Sequence, residues 1–127
     1  MSTITTEFDT YRISVHSQNE IWLKSYKRKS HIALYRGSVP VGSLNFVPEG
    51  SPAKDTIYYS STQREFFTTL TYYEHDFARI VDILRNEKPL FLEIRTDQTT
   101  STRTTSAVYG VGTLKTSAEP VGEEESS

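Results

Sequence analysis

The chain has 127 residues, a formal net charge of -2, no cysteine, and 35% hydrophobic residues, with aromatics making up 12% of the chain. That length suits one domain able to bury a core without disulfide or metal staples. The missing cysteine excludes disulfides, thiolate zinc sites and Cys nucleophiles. The mild acidity excludes a chain-wide attraction to nucleic acid or anionic lipid, leaving only local patches to argue.

The opening, MSTITTEFDT, lacks the basic start and apolar stretch of an export signal, and residues 1–10 read as a flexible N-terminus. No apolar run approaches the roughly 20 residues that span a bilayer, so a cytoplasmic setting with no membrane contact is expected. Alternation then begins. Tyr11, Ile13 and Val15 share a face, HSQNE supplies a turn, and Ile21 to Tyr26, His31 to Arg36 and Val41 to Phe46 come next as further strands. Together these predict a four-stranded antiparallel meander. VPEGSPAKD, with two prolines and a glycine, reads as a loop, and Ile57 to Ser60 and Phe66 to Tyr72 as β-segments rich in Tyr, Phe and Thr.

One helix is predicted over about residues 76–87. Phe77, Ile80, Val81 and Leu84 stand at i, i+3, i+4 and i+7 and so share a face, with Asp76 placed as N-cap and Arg79, Asp82, Arg85 and Asn86 facing water. Pro89 disfavours helical geometry at Lys88, and Leu90, Leu92 and Ile94 alternate with Phe91, Glu93 and Arg95 as a strand. TDQTTSTRTTS is a polar connection, Ala107 to Leu114 a last strand, and residues 117–127 an acidic C-terminal tail, leaving 11–116 as a single domain. Gly110 and Gly112 lie two apart on one strand face and imply a bend or a close backbone approach. The pattern predicts an α+β fold: a strongly curved antiparallel sheet, or a small partly open barrel, with one packed helix.

The chain offers four site readings. The corner RNEKP joins a helix end to a strand, and Arg85, Glu87 and Lys88 are residues that solvation and the helix dipole favour there. Together with the later segment, VDILRNEKPLFLEI and TSAEPVGEEE resemble a family of small bacterial proteins of unknown function that share a Leu-Arg-Asn-Glu-Lys-Pro corner and a C-terminal Glu-Pro-Val-Gly-Glu stretch. The resemblance covers roughly Phe77 to Glu124, weakens through the Thr-rich insert, and brings no activity. It implies that Arg85, Asn86, Glu87, Lys88 and Pro89 travel with Glu119, Pro120, Gly122 and Glu123, either as one docking surface or as a tail folded back on the corner.

The second reading is nucleic-acid binding by the basic aromatic hairpin 22–36, where Trp22, Tyr26 and Tyr35 alternate with Lys24, Lys27, Arg28 and Lys29 as stacking platforms beside cations. Its bland counterpart is a solvated turn. The third is carriage of a small ligand inside an aromatic-lined barrel. Catalysis is the fourth and finds no support: G-x-S-x-G, HExxH and Walker patterns are absent, and the neighbours Glu74, His75 and Asp76 sit where a helix start wants them rather than as a metal set. The expectation is a non-enzymatic module without cofactor or metal, binding a protein partner or itself through a sheet edge or the 85–89/119–124 surface. Pairing at an open edge makes a homodimer natural.

Overall fold

The computed structural model describes residues 2–15, 30–60, 62–96 and 108–117. Among them eight strands form one sheet: β1 Ser2–Phe8, β2 Thr10–Val15, β3 Ser30–Arg36, β4 Val39–Val47, β5 Asp55–Ser60, β6 Glu65–Tyr73, β7 Leu90–Thr96 and β8 Val108–Thr116. Their spatial order is β1-β7-β8-β5-β6-β4-β3-β2, and the sheet is not closed. One helix, α1 (Phe77–Asn86), comes after a single 3-10 turn over Glu74–Asp76. The outline is therefore α+β.

Two expectations about the sheet change. The sheet is mixed rather than antiparallel, because β4 and β6 pair in parallel, Gly42 opposite Thr68 through Val47 opposite Tyr73. After β4 the chain passes over one position, lays down β5, and returns through a tight turn so that β6 fills the vacant place beside β4. The N-terminus, expected to be flexible, is β1, paired with β7 from Ser2 opposite Thr96 to Phe8 opposite Leu90. Threonine disguises its pattern: Thr6 and Phe8 are buried while Thr3, Thr5 and Glu7 face water. Of the proposed meander, β2, β3 and β4 form an antiparallel ladder, and the strand placed at Ile21 to Tyr26 lies outside the described residues.

The helix presents the face that its spacing predicts. Ile80 and Leu84 are buried, Phe77 and Val81 half-buried, and Arg79, Asp82, Arg85 and Asn86 exposed. Asp76 does not cap it through its side chain. Its backbone (φ -90°, ψ -4°) is already helical after the 3-10 turn, and its carboxylate accepts instead from Arg79 Nη2 at 2.7 Å.

The core joins this face to Phe8, Ile32, Leu34, Val41, Leu44, Phe46, Leu70, Leu90 and Leu92. Two glycines show how closely the buried faces meet. A Cβ on Gly42 of β4 would strike the Leu92 side chain of β7, although three strands separate β7 from β4 in the sheet, and one on Gly112 of β8 would strike Leu70 of β6. The expected close approach at the β8 glycines is thus explained. Gly112→Ala should cost about 1–3 kcal/mol through overpacking, read as a lower urea midpoint; an unchanged midpoint would mean that Leu70 can move aside.

Asp55 holds a junction between strands. β5 pairs with β8 on one side and β6 on the other, and beyond its first residue the N–H groups of those neighbours lose their strand partner. The Asp55 carboxylate takes both, accepting from Thr71 N at 2.8 Å and from Gly112 N at 2.9 Å. Burial pushes this carboxyl above its ordinary value and the two N–H bonds pull the other way, with burial the larger effect.

Candidate functional site

The helix-to-β7 corner begins with a stop built from local hydrogen bonds. Glu87 leaves helical geometry (φ -112°, ψ 140°) while its N–H still donates to Ile83 O. Asn86 turns its side-chain amide back onto the helix, donating at 2.9 Å to both the carbonyl and the carboxylate of Asp82. The Lys88–Pro89 peptide is cis, and Leu90 then enters the core as the first residue of β7. This arrangement leaves Arg85 and Lys88 exposed and Glu87 half-buried.

The β1–β2 junction stands opposite. Only Asp9 separates these two strands, although they are the outer members of the sheet. Its backbone N–H donates to Tyr35 O at 2.9 Å. Its carboxylate accepts from Gly37 N at 3.0 Å and from the Thr10 hydroxyl at 2.9 Å. Gly37 has φ +62°, a conformation that favours glycine, and this turn aims its N–H at Asp9. The Gly37 N–H, then the Thr10 hydroxyl, hold the Asp9 carboxyl below its usual range.

Corner and junction together line a cleft of about 610 Å³. Phe8, Leu84 and Leu90 supply buried apolar surface at its floor and Tyr11 a half-buried ring, while Glu7, Asp9, Arg85, Glu87, Lys88 and Pro89 form the rest of the wall. Among the described residues Arg85 and Lys88 make no ion pair and β2 pairs with β3 alone; β2 contributes Tyr11 to the cleft. The end of β8 is also here: Thr116 lies opposite Leu90 in the ladder, and the chain leaves the sheet beside the corner.

The structure thus gathers Arg85, Asn86, Glu87 and Lys88 at one corner, although Asn86 serves the helix end. Glu119, Pro120, Gly122 and Glu123 lie outside the described residues. So do Trp22, Lys24, Tyr26, Lys27, Arg28 and Lys29 of the basic aromatic hairpin; the remaining member, Tyr35, is half-buried in β3 between Thr10 and Pro40. Sequence reasoning missed Glu7, Asp9 and Tyr11 as neighbours of the corner. The usable signal was the period of two from Ile4 through Phe8, which makes a strand of the N-terminus and an Asx bend of Asp9.

Among the described residues no group of three or more His, Asp or Glu side chains is placed to hold a metal ion. His75 is exposed, stacked on Tyr73, with Nδ1 3.4 Å from Glu49. No helix among the described residues is long and apolar enough to cross a membrane. No protein-family model, curated protein or solved structure matches the chain.

Proposed function

We propose that the chain is a non-enzymatic interaction module that seats an extended segment of a protein partner in the cleft between the corner and the β1–β2 junction. The observation that carries this reading is the meeting of an apolar floor with Tyr11 of β2, a strand whose second edge has no partner among the described residues, and with two cations, Arg85 and Lys88, that have no ion pair among them. An edge strand offers main-chain hydrogen bonds to an extended peptide, and pockets beside it select side chains. In this reading the sheet is strongly curved, a partly open barrel whose opening lies at the cleft, which the contact of Leu92 with Gly42 supports. A second copy presenting a strand is the same class of ligand, so a homodimer is one form of the proposal. The setting is cytoplasmic, and the function uses no cofactor.

Selection of random peptides displayed on phage, with calorimetric titration of the enriched peptides, tests it. A peptide should be enriched and its binding should weaken roughly tenfold or more, about 1.4 kcal/mol, in the Arg85→Glu/Lys88→Glu double variant. No enrichment, or affinity indifferent to both substitutions, would remove the cleft as a binding site. A contrasting result is salt-sensitive binding of labelled single-stranded DNA or RNA that disappears on replacing Lys27, Arg28 and Lys29 with alanine. That outcome would transfer the function to the basic hairpin.

A further inference from the structure

On the outer face of the sheet, away from the core, aromatic side chains run across three neighbouring strands. Ile57 and Thr68, opposite one another in β5 and β6, are buried, so alternation turns Tyr58 and its partner Phe67 outward, their ring centroids 5.7 Å apart. Tyr109 of β8 opposes Thr56 and so lies diagonally from Tyr58 on the same face. Tyr109 and Val111 are 59% and 71% exposed, apolar surface that the core does not use. Lys54 holds its ammonium 5.1 Å from the centre of the Tyr109 ring, and the exposed Arg95 of β7 stands opposite Val111. The carboxylates near this row are engaged. Glu93 accepts from Lys115 at 3.1 Å and lies 3.7 Å from Arg95, Glu65 is bound by Arg36, and Asp55 is taken by the N–H groups of Thr71 and Gly112. Across β5, β8 and β7 the cations Lys54, Arg95 and Lys115 thus face the single outward carboxylate of Glu93, the reverse of the balance in the whole chain.

We propose that this face binds single-stranded nucleic acid, with bases stacked on Tyr109, Tyr58 and Phe67 and the phosphates running beside Lys54 and Arg95. Adjacent strands lie about 4.8 Å apart, so the three rings make a row about 10 Å long, which a few nucleotides of an extended strand can follow. Aromatic rings alone would suit a peptide or a second copy of the chain. The cations beside them, on a face whose carboxylates are engaged, select a polyanion whose flat apolar groups can reach the rings. A single strand is that polymer, whereas a duplex keeps its bases paired inside. The residues named share none with the cleft at the corner, so this proposal and peptide binding by the cleft stand or fall separately.

Fluorescence anisotropy of labelled oligo-dT and oligo-U, about 12 nucleotides long, tests the proposal on the full-length protein. Both should bind at about 50 mM salt, since the rings read no sugar, and log affinity should fall against log salt with a slope of about -1.4, the value for two phosphate contacts. Tyr109→Ala should weaken binding about tenfold, an abasic strand of the same length should bind the wild type at least as weakly as that, and Lys54→Ala/Arg95→Ala should flatten the salt slope. All three side chains are exposed, so an unchanged urea midpoint will show each variant to be folded. Absence of binding at low salt overturns the proposal, as does binding that Tyr109→Ala and removal of the bases leave unchanged. Loss of binding on replacing Lys27, Arg28 and Lys29, with indifference to Tyr109, overturns it in favour of the basic hairpin. A dimer in light scattering that Tyr109→Ala dissociates, with no oligonucleotide bound, overturns it by making the face a contact between copies.

Discussion

Asp55→Ala is expected to lower stability by about 2–4 kcal/mol, because it leaves two part-buried N–H groups, those of Thr71 and Gly112, without an acceptor at roughly 1–3 kcal/mol each. Water reaches the half-buried site and recovers part of the loss, so the sum does not reach its upper limit. The same residue gives a pH signature. Its folded value is raised above the ordinary 3.8 by burial. Between 3.8 and that raised value the unfolded chain has released a proton that the folded chain keeps. The contribution of this group is therefore complete below 3.8 and is lost as pH rises through the folded value. Asp9 works in the opposite sense. The Gly37 N–H and the Thr10 hydroxyl lower its folded value, so its contribution is present above 3.8 and is lost as pH falls through the folded value. Urea midpoints of the wild type and Asp55→Ala, measured across the acid range, should differ in slope above 3.8; parallel curves would show that Asp55 does not titrate as its surroundings require.

Phe46→Ala should cost about 3–5 kcal/mol, the largest single effect expected in this fold. The ring is fully buried and sits between elements: it meets Phe77 of α1 edge-on at 5.0 Å between centroids and stacks with Tyr72 of β6 at 6.0 Å. Its removal opens a cavity where helix and sheet join, and neither neighbour can fill that space without leaving its own contacts. Phe46→Leu keeps most of the volume and should cost about 1–2 kcal/mol. Circular dichroism during urea titration would measure both. A loss below about 1 kcal/mol for the alanine variant would mean that the helix is held to the sheet elsewhere.

These two residues differ in how far the chain announces them. Phe46 ends an apolar alternation, and that alternation places it in a strand. Asp55 stands at the end of a loop rich in proline and glycine, and reads there as one more polar turn residue. Its role depends on Gly112, 57 positions away, whose own spacing from Gly110 hints at close approach but names no neighbour. The corner divides in the same manner. That a helix stops and a strand starts around Pro89 is legible, because both signals are local. That Phe8, Asp9 and Tyr11 form the facing wall is not, because threonine hides the alternation of β1 and no local signal reports which strand β1 pairs with.

Elements whose signal is contained in one turn or one strand are written in the chain itself. These are the apolar face of α1, set by the spacing of Phe77, Ile80, Val81 and Leu84, the alternation of β3 and β7, and the break at Pro89. The parallel pairing of β4 with β6, the capture of Thr71 and Gly112 by Asp55, and the meeting of corner and junction across a cleft exist only once the strands have assembled. The difference is one of range. Backbone propensity and side-chain period act over a few residues, whereas the order of strands is chosen by which buried faces fit against one another. In this chain that fit brings Leu92 onto Gly42 and Leu70 onto Gly112, contacts that no stretch of sequence contains within itself.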